Sequence, residues 1–130
     1  MITVDEVLLL HDLSIKFFGG KNGIRDLDSL KSAVGRAFQT FDQIDVYSSV
    51  FEKAAALLES IIKNHPFVDG NKRTGFLSAM IYLKRNNIKL ETTETEVYEF
   101  VMKVASSEIL FDEIVLWLQN NSKFVLWIKK

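Results

Sequence analysis

The sequence predicts an all-α, single-domain bundle of about six helices. Three observations carry this. Proline occurs once and glycine six times in 130 residues, too little punctuation for many short strands. Long stretches repeat apolar residues at helical spacing. Two of these stretches open on a capping-box pair, Thr3 with Glu6 and Thr93 with Glu96.

The first helix begins at Thr3 and carries Val7, Leu8, Leu10, Ile15 and Phe18 at helical intervals. His11 lies inside it and reads as structural. The only glycine-rich loop, Gly19 to Asp26, ends it. A second helix follows over about Leu27 to Gln39, with Asp28 near its start. The third, from about Ser49 to Asn64, places Val50, Phe51, Ala54, Leu57, Leu58 and Ile61 on one side. The fourth, over about Asn71 to Asn86, is apolar enough to be central. The fifth presents Val97, Phe100, Val101 and Val104 behind its capping box, and "LFDEIVLWLQNN" forms the sixth. The segment "KFVLWI" fits a helical extension or a short strand equally well. Trp117, Trp127 and most of the ten phenylalanines are expected in the core.

Composition excludes several classes of function. Hydrophobic residues make up 48% and charged residues 25%, which fits a globular rather than a disordered chain. Cysteine is absent, so disulfides, thiolate zinc sites and cysteine nucleophiles are excluded. Two histidines, His11 and His65, give little basis for a multi-histidine metal site. A formal charge of -1 gives no support to direct nucleic-acid binding. The N-terminal segment lacks the basic start of a secretory leader. No apolar run approaches the roughly 20 residues that span a bilayer. The expectation is a cytoplasmic protein with no membrane contact.

The chemistry concentrates between the third and fourth helices, in "NHPFVDGNKRTGF", residues 64–76. Pro66 disfavours the α conformation at His65, so the third helix should stop there. Asp69 is the expected N-cap of the next helix, and Gly70 lets the backbone turn tightly or approach a ligand. Asn71, Lys72 and Arg73 then fall in the first turn of the fourth helix. That turn is the positive end of the helix dipole, where each cation costs about 0.3–1 kcal/mol. Cations placed there beside free backbone N–H groups make an anion site. A lone Asp-Gly or Lys-Arg pair is ordinary. Together with a proton-transferring imidazole and a carboxylate four residues on, they read as a site that handles phosphate.

The run "HPFVDGNKR", His65 to Arg73, resembles the signature of the Fic/Doc family, with its defining positions filled. "GIRDLDSLKSAVGRAF", Gly23 to Phe38, is similar to the segment upstream in the death-on-curing branch of that family. The resemblance spans about Thr3 to Leu118. Two departures from the AMP-transferring members point to the same branch: Lys72 stands where they have glycine, and Phe76 where they carry a second arginine. Lysine adds bulk and a point charge where glycine leaves room for a phosphate against the backbone. Losing the second arginine removes one clamp, so a different phosphate pose is expected.

The resemblance implies a Fic/Doc-like fold, with a small β-hairpin flap as a further element. It implies transfer of the γ-phosphoryl group of ATP to a Ser/Thr hydroxyl of a target protein, elongation factor Tu in the family example. His65 would be the general base and Asp69 the Mg²⁺ ligand. Gly70, Asn71, Lys72 and Arg73 would cradle the phosphates. Pro66 and Phe67 would fix the loop, with Phe67 pointing inward. Thr74 and Gly75 read as packing or capping residues.

The Gly19–Asp26 loop has two readings of equal weight. It is a flap that aligns the target's backbone by strand addition, with Arg25 and Asp26 as contacts, or a plain turn in which they form a local pair or cap. Neither "SSVFEK" nor "TEVYEF" completes the family's inhibitory pattern, because the position after the glutamate is Lys53 in one and Phe100 in the other. Control by a separate antitoxin, with a disordered segment that folds on binding, is implied instead. Two other readings compete with phosphoryl transfer: transfer of AMP or another donor group, and a non-catalytic regulator that binds nucleotide or a partner.

Overall fold

The computed structural model describes residues 1–125. The chain runs α1 (Val4–Phe18), α2 (Leu27–Ala37), β1 (Thr40–Phe41), β2 (Ile44–Asp45), α3 (Val50–Asn64), α4 (Asn71–Arg85), β3 (Ile88–Leu90), α5 (Glu94–Ala105), α6 (Phe111–Asn120) and β4 (Ser122–Phe124). These six helices are the six that periodicity predicts. Thr3 and Thr93 close both halves of their capping boxes, as expected, and Ser49 does the same for α3 through Glu52.

The strands are small. β1 and β2 form an antiparallel hairpin with Thr40 opposite Asp45, and β3 pairs with β4 with Lys89 opposite Lys123. Of the ambiguous segment "KFVLWI", Lys123 and Phe124 are therefore strand. Residues 126–130, including Trp127, lie outside the described residues.

α3 runs through the middle, packed on α2, α4, α5 and α6. Ala54, Ala55 and Ala56 are buried in a row, so the helix is covered on more than one face. Leu57, Leu58, Ile61 and Ile62 are fully buried beside them, each contributing about 1.5–3 kcal/mol of apolar burial. α4 sits close against α3 because Gly75 faces it. A Cβ on Gly75 would lie 3.0 Å from Cγ1 of Ile62 and 3.2 Å from the Leu58 carbonyl. α1 lies on the other side of α4, tied to it by the Glu6–Arg85 ion pair.

Six of the ten phenylalanines belong to the core or pack against it. Phe17, Phe18, Phe41 and Phe124 stand exposed. Trp117 is half-buried and stacks flat on Phe100, with centroids 3.8 Å apart.

Candidate active site

The motif loop bridges the C-terminus of α3 and the N-terminus of α4, and it is held at several points. α3 stops at Asn64, where the proline predicts, although His65 leaves by a left-handed turn (φ 49, ψ 57) and not by an extended one. The carbonyls released by that stop are capped by Arg25. Its Nη2 donates to Asn64 O at 2.6 Å and its Nε to His65 O at 2.5 Å. The α1–α2 loop also pairs with the motif through its backbone. Arg25 N–H and Asp26 N–H donate to Pro66 O at 2.7 and 3.0 Å, and Val68 N–H donates to Gly23 O at 3.0 Å. Ile24 and Phe67 thereby form an antiparallel bridge. The glycine-rich loop is thus an irregular strap beside the motif, and the regular hairpin of the fold is β1–β2 instead.

Phe67 is 1% exposed and points inward, where its ring stacks on His11 at 3.8 Å. Pro66 is buried beside it. Asn71 is buried and accepts from Phe67 N–H while donating to Phe67 O, both at 3.0 Å. Its side chain thereby staples the loop.

His65 is exposed. Its Nδ1 lies 3.1 Å from the carbonyl of Lys63. A carbonyl only accepts, so Nδ1 carries the proton and the lone pair of the neutral ring sits on Nε2. The imidazole is thereby set in the tautomer a base needs.

Asp69 is also exposed. One oxygen accepts from Lys21 N–H at 3.0 Å and the other from Gly70 N–H at 2.9 Å. These backbone donors, Lys21 first, hold its pKa below the ordinary carboxylate value, helped by the charges of Arg73 and Lys21. The group is ionised at neutral pH. The expectation that Asp69 caps α4 is corrected. Gly70, at φ 79 and ψ 19, is the N-cap, and α4 has no side-chain cap. The Asp69 carboxylate turns toward the strap instead.

The first N–H groups of a helix have no intrahelical acceptor. In α4 the ladder begins at Thr74 N–H, bonded to Gly70 O at 2.9 Å. The N–H groups of Asn71, Lys72 and Arg73 therefore face outward without a cap. Lys72 is exposed at this tip. Arg73 is anchored through Nη1 to the carbonyls of Ser14 and Gly19, each at 3.1 Å, and its guanidinium lies 5.3 Å from the Phe18 ring. The fit to a magnesium–nucleotide is that of one ionised, exposed carboxylate beside an uncapped positive helix end. No group of three or more metal-binding side chains exists among the described residues. Mg²⁺ characteristically takes one or two carboxylates plus phosphate oxygens and keeps its own waters.

Asp26 accepts from Ser29 N–H at 3.2 Å and Ser29 Oγ at 2.9 Å, capping α2. Arg25 and Asp26 are thus both engaged in helix caps. Two groups at the site escaped sequence reasoning. Gly20 sits where a Cβ would come within 2.8 Å of Asp69 Oδ2, and His11 Nε2 lies 2.8 Å from Asp69 O. Nothing in their spacing signals these long-range contacts. A cavity of about 360 Å³ lies elsewhere, between α5 and α6, lined by Phe100, Trp117 and Glu99 among others. It contains none of the motif residues, the exposed ones of which lie on the open loop surface.

A small helical scaffold that presents a histidine, an acid and an uncapped helix tip in this order defines a class. Residues 1–83, covering α1 to nearly the end of α4, match the Fic/DOC family. The chain belongs to the Fic/Doc family. It is 44% identical over 73 residues to "Toxin Doc" of Mycolicibacterium smegmatis, covering 56% of each chain. It is 31% identical over 108 residues to "Protein kinase doc" of Escherichia phage P1, covering 83% of this chain and 84% of the phage protein. The chain thus spans little more than half of the first relative and most of the second. No helix among the described residues is long and apolar enough to cross a membrane.

Proposed function

We propose that this protein is a toxin of the Doc type that transfers the γ-phosphoryl group of ATP to a serine or threonine hydroxyl of a target protein. The observation that carries this reading is the 3.1 Å contact between His65 Nδ1 and the Lys63 carbonyl, which selects the tautomer. With Nδ1–H held by Lys63 O, Nε2 is free to take the hydroxyl proton as the nucleophile attacks. The N–H groups of residues 71–73 and the Lys72 ammonium bind the phosphate oxygens and stabilise charge on the group in transfer. Asp69, kept ionised by Lys21 and Gly70, would hold the nucleotide's Mg²⁺. When bound, that ion would supply positive charge to offset the negative phosphate groups. Arg73, anchored on α1, supplies fixed positive charge beside them. Lys72, in place of a glycine, favours the γ-phosphoryl outcome. The name of the phage P1 relative, a protein kinase, points the same way.

The strap over residues 19–26 has one edge paired to the motif and offers its other edge to the target's backbone. Elongation factor Tu is the target the family suggests. An antitoxin that folds on binding is the partner the toxin reading requires. An apolar stripe suits such a segment: Leu9, Leu13 and Phe17, at spacing i, i+4, i+8 on α1, are 58%, 40% and 75% exposed. The protein then works in the cytoplasm with no nucleic acid of its own.

Incubation with γ- or α-labelled ATP in a cell extract tests the reaction. The expected result is label on one protein band from γ-labelled ATP only. Label from the α position would instead establish nucleotidyl transfer, and no label from either would leave a non-catalytic binder.

A further inference from the structure

We infer that His11 is a positioning residue for the transfer, acting through the Asp69–Gly70 peptide; this rests on the phosphoryl-transfer reading above. His11 is 2% exposed on α1, far from the motif in sequence. Its Nε2 lies 2.8 Å from the carbonyl of Asp69. That oxygen can only accept, so Nε2 carries the proton. The ring lies parallel to Phe67, with 3.8 Å between centroids and 4° between planes. Its other neighbour is Gly70, where an added Cβ would sit 3.7 Å from Cδ2 and Nε2 of His11.

One imidazole therefore stacks on the buried anchor, bonds the carbonyl of the acid and lies beside the glycine. The other supports act elsewhere. Asn71 holds Phe67, and Lys21 holds the Asp69 side chain. The Gly70 N–H of that peptide bonds only the neighbouring Asp69 carboxylate, so the bond from His11 is the one that ties the Asp69–Gly70 peptide plane to another helix. That plane sets the left-handed conformation of Gly70 and the direction in which α4 emerges. It also sets where the Asp69 carboxylate starts from. The His11 donor thus helps to bring the acid and the N–H groups of the helix tip into mutual register, alongside the Lys21 bond to the carboxylate and the Arg73 anchor on α1. Displacing such a support by a fraction of an ångström is costly for transfer.

Two full-length variants separate the donor from the stack. His11→Phe keeps the ring on Phe67 and removes the donor. His11→Gln removes the stack and returns an N–H near the Nε2 position. In the wild type, long-range ¹H–¹⁵N spectra should show His11 protonated on Nε2. His11→Phe should move the Gly70 and Asn71 amide resonances. It should also weaken Mg-ATP binding and lower kcat about 10–100-fold, with KM for the protein target unchanged. His11→Gln should restore most of these. A wild-type ring protonated on Nδ1 alone overturns the inference without any variant. So does a His11→Phe protein with wild-type amide shifts and kcat, or equal impairment in both variants. If the wild type transfers no phosphoryl group, the transferase reading falls while the spectra still decide the bond.

Discussion

At residue scale, the distinction that matters is between groups that touch the reacting atoms and groups that hold them still. In the proposed reaction His65 belongs to the first kind. It is exposed and caps α3 through its backbone, so His65→Ala should leave the melting temperature within a few degrees and cut transfer by at least about 100-fold. Label incorporation together with a thermal melt checks both halves. Gly20 belongs to the second kind. It has φ +117, and a Cβ there meets Asp69 Oδ2 at 2.8 Å. Gly20→Ala should therefore push the carboxylate aside, weaken Mg-ATP binding about tenfold and cost about 1 kcal/mol in stability. Calorimetric titration with and without Mg²⁺ is the measurement. Legibility follows the same line. His65, Asp69 and the helix tip were readable because their chemistry lies within nine consecutive residues and breaks the dipole rule. The roles of Gly20 and His11 were not, because each depends on contact across some 50 residues of chain. The sequence reading assigned Asn71 to phosphate. Its amide proves to be a staple, a distinction that only the return path of the backbone to Phe67 reveals.

At element scale, α1 and α4 form the cradle in which the site sits, and two features fix their placement. Glu6, in the capping box of α1, pairs with Arg85 at the end of α4. Its pKa is lowered to about 2, first by the Arg85 hydrogen bond and then by the Thr3 backbone. A carboxylate with a depressed folded-state pKa stabilises the fold above its ordinary pKa and loses that contribution as pH falls toward the folded value. Wild-type stability should therefore decline between about pH 4.5 and 2 in urea melts, and Glu6→Gln should lack that part of the decline. On the other face, Gly75 lets α4 approach α3. Gly75→Val drives side-chain carbons into Ile62 and the Leu58 carbonyl and should destabilise by about 1–3 kcal/mol. Because α4 carries the helix tip, nucleotide affinity should drop in the same variant, and equilibrium unfolding with nucleotide titration reports both. The capping boxes at Thr3 and Thr93 made the starts of α1 and α5 legible, since they signal a start within four residues. The short β pairs were not legible. Each strand is two or three residues long, too short for any period to show.

At the scale of the molecule, the fold is an arrangement for presenting one loop. α3 lies in the middle of the bundle, packed on α2, α4, α5 and α6. Its C-terminus, the strap and α1 converge on the motif, so the exposed imidazole and carboxylate are mounted on rigid supports. The overall class was legible because helix length and punctuation are local properties. Which helix would be most enclosed was less so, because the three consecutive alanines of α3 announce close packing only once its neighbours are in place. The central claim is that nucleotide phosphates dock at the N-terminus of α4, beside His65 and Asp69. Titration of Mg-ATP into ¹⁵N-labelled protein, followed amide by amide, tests it most directly. The account predicts the largest shifts at Gly70, Asn71, Lys72 and Arg73, with loss of the response in Asp69→Ala. Saturable shifts confined to the cavity between α5 and α6, with the amides of residues 70–73 unmoved, would contradict it.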